Sequence, residues 1–378
     1  MSQASETRIS RRTYLKYITI AAASVAVGYT LRDVAGRYVW IPGSPTTVMK
    51  TTTRAETVSC PLRAVAAASG LLVGAAAMSK PLADSRYAST LAREFNFLTP
   101  EYEMKWEAIH PSANRWNFDP ADKLVMFASE HQMKVKGHPL IWHESLPTWV
   151  NTNMSADELR RAMQEHVRTL VGHYRGRVHA WDVVNEAVDD NGGLRKSLFL
   201  DKLGDRYIDE AFQLAHEADP DALLFYNDYG AEGLGSKSDR VYELLKKLVV
   251  DRVPIHGVGL QMHINAAAAD YPRPEDVAAN IRRLAALGLN VNISEMDVRI
   301  RDVAVDLPER LDVQRRVYHD IIAACRREEG FVAVTFWGFT DAHSWVNGSF
   351  GPDMPLLFDA NYQPKPAYWG VLDALLSE

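Results

Sequence analysis

Residues 178–190 read "VHAWDVVNEAVDD". The first eight residues, Val178–Asn185, are largely apolar and rich in aromatic and β-branched types, which predicts a strand buried on both faces. The run then stops abruptly at Asn185-Glu186. An apolar strand that ends in an amide and a carboxylate suits a parallel strand delivering polar groups to one end of a barrel.

Seven further runs share this character: Leu71–Ala77, Phe95–Pro100, Lys134–Trp142, Leu223–Asp228, Gly257–His263, Asn290–Glu295 and Phe331–Gly338. Between them lie helical patterns at 157–174, 207–218, 237–250, 274–287 and 312–329. Ser155 followed by Glu158 has capping-box spacing, and Gly288 is placed to stop the helix before it. Strand–helix alternation implies parallel strands with right-handed crossovers. Eight repeats from residue 61 onward predict an α/β fold, a (β/α)8 TIM barrel forming one catalytic domain over residues 61–378. A doubly wound open sheet is the alternative, but the stretch "VGAAAM" after the first strand lacks the Gly-rich phosphate turn such sheets carry.

The chain has 378 residues, 47% hydrophobic and 24% charged, as expected for a globular protein. Its net charge of -6 is unevenly placed. Residues 1–60 hold eight Lys/Arg against three Asp/Glu, whereas the remainder holds 34 against 45. An acidic body argues against a nucleic-acid partner. Two cysteines, Cys60 and Cys325, make neither a disulfide framework nor a cysteine zinc site, and they are expected to stay apart.

Residues 10–16 read Ser-Arg-Arg-Thr-Tyr-Leu-Lys and precede a short apolar run, Tyr17 to Leu31. The charged start and short apolar core predict an export leader over residues 1–40, and the Arg11-Arg12 pair resembles a twin-arginine signal. The expected location is periplasmic or secreted, with no stable membrane span once the leader is cleaved. Residues 41–60, with Pro42, Gly43, Pro45 and many Thr, read as a linker.

The strand ends carry the chemistry. They are Glu101 and Lys105; His138 and Trp142-His143; Asn185-Glu186; Asn227-Asp228; Gln261 and His263; Glu295 and Asp297; and Trp337. Any single polar strand end can be a buried group satisfied by its neighbours. Seven of eight strands ending this way is a site. Glu186 and Glu295, 109 residues apart, meet only through the fold. Two carboxylates facing one cleft are the minimum equipment for glycoside hydrolysis. His263 is placed to hold the strand-seven carboxylate ionised, Asn185 to bond a sugar hydroxyl, and Asn227 and Asp297 to support these groups from behind. Trp142, Trp337 and Trp345 are the tryptophans expected in the cleft, since pyranose rings pack on flat aromatics. Trp106, Trp116, Trp149 and Trp181 read as packing. Metal catalysis is the chemical competitor through His138, His143, Asp228 and His263. The first strand, "LLVGAAA", offers no His-x-His, so neither metal nor cofactor is expected.

Taken together, "GHPLIWH", "WDVVNEAVDD", "LFYNDYGAEG", "GVGLQMHI", "ISEMDVRI", "VTFWGFTDAHSWV" and "PLLFDANYQPKPAY" resemble the strand-end signatures of glycoside hydrolase family 10, the β-1,4-xylanase family, across nearly all of residues 61–378. The resemblance implies a retaining endo-β-1,4-xylanase acting on xylan and xylo-oligosaccharides. In it Glu186 would be the acid/base and Glu295 the nucleophile. Glu101, Lys105, His138, Trp142, Asn185, Gln261, His263, Trp337 and Trp345 would bind substrate. It also implies no essential metal, though calcium is sometimes bound structurally. Action on another β-glycan, or a non-catalytic sugar-binding barrel, stays open at this point. One departure stands out: Tyr102 occupies a position where the family usually has an asparagine, in Glu101-Tyr102-Glu103-Met104-Lys105-Trp106. Tyr102 is therefore expected to reshape an outer sugar site, while Glu103 and Glu107 are expected to be solvated or structural.

Overall fold

The computed structural model describes residues 60–268 and 271–377, together with the backbone of a small antiparallel pairing of 31–32 with 38–39. The rest of the expected leader and linker lies outside the described residues. Eight parallel strands form the barrel: β1 Leu72–Ala77, β2 Phe97–Pro100, β3 Lys134–Gly137, β4 Ala180–Asn185, β5 Leu223–Asp228, β6 Gly257–Leu260, β7 Asn290–Arg299 and β8 Phe331–Phe336. Each pairs with the next, and β8 returns to β1, so the sheet is closed. The barrel predicted from the alternation is the one observed, and the open sheet is excluded. Closure leaves no barrel-strand edge to pair wrongly.

The strands are buried on both faces: every residue of β2 and β4 is buried, as are all but the first of β1 and β5. Amphipathic helices cover the outside. Helix Ala156–His173 starts with the expected capping box, the Ser155 and Glu158 side chains each bonding the other's backbone N–H. Helix Leu307–Cys325 begins five residues earlier than the apolar periodicity suggests. Asp306 caps it through Glu309 N–H, and a proline sits in its first turn, where no N–H is needed.

Helices Leu62–Ala68 and Pro366–Leu376 meet around one carboxylate. Glu94, almost fully buried, accepts from Leu62 N–H at 3.1 Å and from the Tyr368 hydroxyl at 3.0 Å. This contact ties the two ends of the barrel sequence together. No disulfide joins Cys60 and Cys325, and burial pushes the Cys325 thiol up from its ordinary range.

Three strand ends differ from expectation by more than two residues, and each of these differences has a local cause. β3 stops at Gly137 rather than Trp142 because Pro139 has no N–H to give the ladder. Pairing resumes when Leu140 N–H donates to Asp182 and Ile141 N–H to Val183. β6 stops at Leu260 because Met262 turns left-handed (φ 69°). A short strand, His263–Asn265, then restarts alongside Asp297–Arg299, which is why β7 runs four residues past Glu295.

Candidate active site

All eight strands point their C-terminal ends at one mouth, where a cleft of about 890 Å³ opens. Glu186 is the first residue beyond β4. Its backbone is left-handed (φ 57°), a conformation that costs a non-glycine residue about 1–3 kcal/mol. Hydrogen bonds on both sides hold it there: its N–H donates to the Asn227 carbonyl at 2.8 Å, and its own carbonyl accepts from Arg195 Nε at 2.8 Å. The kink takes the Glu186 side chain out of strand alternation at the cleft wall. Its Oε1 accepts from Asn185 Nδ2 at 3.2 Å and from Gln261 Nε2 at 2.9 Å. Both protein bonds fall on Oε1, so Oε2 is the oxygen left for a ligand.

Glu295 lies within β7 and is only 4% exposed. Its Oε1 accepts from Asn227 Nδ2 at 2.7 Å and its Oε2 from His263 Nε2 at 3.2 Å. The other imidazole nitrogen, Nδ1, donates to Asp297 at 2.8 Å, and Asp297 also accepts from Trp345 Nε1 at 2.7 Å. With a carboxylate at each ring nitrogen, His263 donates twice and is an imidazolium. Burial works against that charge, but Asp297 and Glu295 outweigh it and raise the His263 pKa to about 10. Burial would likewise raise Glu295, yet the bond from His263, the proximity of His138 and the Asn227 amide bring it to about 2.

Asn227 ties the two carboxylates into one frame. Its NH2 group gives one hydrogen to Glu295 and the other to Asn185 Oδ1 at 2.9 Å, while its Oδ1 accepts from the Ser294 hydroxyl at 2.6 Å. Asn185 passes the connection to Glu186. Asn227 and Asp297 thus bond the groups that face the cleft without lining it themselves.

His138 is buried, with Nδ1 on Asp182 at 2.9 Å, and Asp182 meets Lys136 Nζ at 2.7 Å. The ring of His138 stands edge-on to Trp337 at 5.0 Å. Lys105 sits 5.0 Å over Trp142, and Trp345 stands 4.9 Å from His263. Lys105, His138, Trp142, Asn185, Gln261, His263, Trp337 and Trp345 all line the cleft with the two glutamates. Trp106 and Trp181 are buried in the core, as read, and Trp116 and Trp149 pack against it.

Glu101 and Tyr102 are not among the cleft-lining residues. Glu101 is close enough to Glu295 and Asp297 to feel their charges. Burial, opposed by Lys105 and assisted by those carboxylates and Glu103, pushes it up to about 7. Tyr102 is 47% exposed, with its hydroxyl beside Glu107. The expectation that its ring reshapes a sugar site finds no support in the residues that line the cleft. Glu103 is structural: it accepts from Ser79 N–H at 2.5 Å and from Tyr102 N–H at 3.4 Å.

Several working residues escaped the sequence reading. Lys136 and Asp182 anchor His138, and Arg195 braces Glu186. Glu232 Oε1 accepts from Gly230 N–H at 3.1 Å and Met262 N–H at 3.0 Å, pinning the left-handed turn between Gln261 and His263. A lysine inside the buried strand run was the available signal for the first of these. Among the described residues, no group of three or more His, Cys, Asp or Glu converges as a metal-ligand set.

Endo-1,4-beta-xylanase B of Thermotoga neapolitana is 44% identical over 83% of this chain and 91% of its own. The beta-1,4-xylanase of Dictyoglomus thermophilum is 42% identical over 76% of this chain and 84% of its own. The crystal structure of xylanase 10B from Thermotoga petrophila RKU-1 in complex with xylobiose superposes with a TM-score of 0.80 at 41% identity, covering 85% of this chain and 98% of that one. The sequence profile of glycosyl hydrolase family 10 matches residues 61–374, the span that builds the barrel and its paired carboxylates, and the chain belongs to that family.

Proposed function

We propose that the chain is a retaining endo-β-1,4-xylanase that cuts internal bonds of xylan and xylo-oligosaccharides by double displacement. The observation that carries this reading is the asymmetric pair of carboxylates joined by one amide frame in a tryptophan-lined cleft. Glu295, held ionised against an imidazolium, attacks the anomeric carbon. Glu186 protonates the departing glycosidic oxygen from the oxygen that carries no protein hydrogen bond. It then takes a proton from the water that attacks the glycosyl–Glu295 ester, so the β configuration returns. Carboxyl groups ~5–5.5 Å apart are what such a pair requires. Lys105, His138, Asn185 and Gln261 supply polar contacts for sugar hydroxyls, and Trp142, Trp337 and Trp345 supply apolar faces. The family membership and the names of the relatives support xylan as the substrate.

The test compares reducing-sugar release from xylan with that from a soluble β-1,4-glucan, followed by product analysis on xylo-oligosaccharides of graded length. Preferred cleavage of xylan with internal cuts is expected. Preferred cleavage of the glucan, or binding without any release, would overturn the reading.

The proposal extends to location. The Arg11-Arg12 pair and the apolar run after it support export through a twin-arginine route to the periplasm or medium. Replacing both arginines by lysine should retain the protein in the cytoplasm, and unchanged export would remove this part of the proposal. Among the described residues, no helix is long and apolar enough to cross a membrane.

A further inference from the structure

Two arginines line the cleft, and their surroundings differ. Arg273 is paired with Asp276 at 2.7 Å. Arg299 meets no carboxylate within ion-pair distance among the described residues. Instead its guanidinium sits 3.9 Å over the centroid of the Phe350 ring. Phe350 is itself 42% exposed, packs edge-on against Trp345 at 5.5 Å, and has its carbonyl held by Arg301. Arg301 in turn has its own partner, Asp302, at 3.2 Å. Arg299 is thus positioned by an aromatic ring, with no counter-charge among the described residues.

Its location is equally specific. Arg299 ends β7, four residues or ~13 Å of strand beyond Glu295. That separates it from the sugar being cut and places it toward the cleft's outer wall. Its register partner across the strand pair is Asn265, another cleft residue. The Asn265 side-chain oxygen, Oδ1, accepts from Ala267 N–H at 3.1 Å, which leaves its side-chain NH2 group as a donor. The carboxylates of Glu144, Glu186, Glu232, Asp276 and Glu295 line the same cleft and make it hostile to an anion elsewhere.

Neutral sugar hydroxyls already have Lys105 and the cleft amides as donors, so a further cation toward the outer wall suits an anionic group on the substrate. A guanidinium stacked on an aromatic keeps its edge N–H groups free, and that fork matches a carboxylate in two parallel hydrogen bonds. We propose that Arg299, with Asn265 beside it, forms a subsite for the carboxylate of a uronic-acid branch carried on the glycan chain. This rests on the xylanase reading above and adds to it a preference for acidic, branched substrate.

The experiment measures kcat/KM for wild type and Arg299→Met on three oligosaccharides of equal backbone length: unbranched, uronic-acid-branched, and the same branch with its carboxyl reduced to an alcohol. Methionine keeps apolar contact with Phe350 while removing the fork. For wild type, the acidic branch should be favoured over its reduced form by about tenfold at low salt, a preference that shrinks as salt screens the partly exposed pair. In Arg299→Met that preference should fall to about onefold, and mass spectrometry should show the acidic branch losing its fixed distance from the cut. Equal rates on acidic and reduced branches in wild type, or an undiminished ratio in the variant, would overturn the subsite while leaving xylan cleavage intact. Failure of wild type to cut even the unbranched chain would overturn both readings.

Discussion

At the scale of single residues, Glu295→Ala removes the proposed nucleophile, and kcat should fall roughly 10⁴-fold or more. Xylan hydrolysis within tenfold of wild type would exclude that role. His263 acts through Glu295. In His263→Gln the opposing cation is gone and burial governs, so the Glu295 pKa should climb from about 2 toward or above the ordinary carboxylate range. Because Glu295 must be ionised to attack, the acid limb of the kcat/KM profile should then move to higher pH by a unit or more. An unmoved limb would mean that another group sets it. The residues that touch the cleft were readable because strands of a barrel end in a row, so Asn185, Glu186, Gln261, His263 and Glu295 announce themselves at the ends of apolar runs. Lys136, Asp182 and Arg195 were not, since their work is to hold other side chains, and that depends on contacts made across the barrel.

At the scale of elements, strand register delivers the chemistry. Gly259 in β6 is one of the points where this is tightest: a Cβ there would lie 2.1 Å from Asn227 Oδ1. Gly259→Ala should therefore displace the amide that joins Glu295 to Asn185. Activity should drop by an order of magnitude or more, along with the stability cost of about 1–3 kcal/mol expected for overpacking. Full activity would show that the frame tolerates the shift. Helix and strand identities were legible because the periodicities of buried strand and amphipathic helix differ. The breaks at Pro139 and Met262 were less so. Proline marks its own interruption, but the left-handed turn at Met262 depends on Glu232, a residue 30 positions away that accepts its N–H. Tyr102 lies outside the residues that line the cleft, and a family position foretells a role only where the local turn presents the side chain to the substrate.

For the whole molecule, the His263–Glu295 pair couples catalysis to stability. The folded pKa of His263 is raised from 6.5 to about 10, so its contribution is fully present below about pH 6.5 and is lost as pH rises through about 10. Glu295 has the opposite sign: its depressed pKa contributes above the ordinary carboxylate range and is lost as pH falls toward about 2. Tm should decline across pH 6.5–10 in wild type and decline less steeply in His263→Gln; parallel slopes would place the alkaline loss elsewhere. The barrel could be inferred from eight repeats before any contact was known, whereas the cleft's electrical asymmetry, with one imidazolium behind the proposed nucleophile, emerges only from assembly. The central claim is that Glu295 forms a covalent glycosyl ester while Glu186 manages the proton. The most direct measurement is mass spectrometry of peptides after reaction with a 2-deoxy-2-fluoro-β-xylobioside bearing a good leaving group. A fluoro-xylobiosyl adduct on the peptide containing Glu295 is the predicted result. An adduct confined to another residue, or turnover releasing the α-anomer first with no adduct at all, would contradict it.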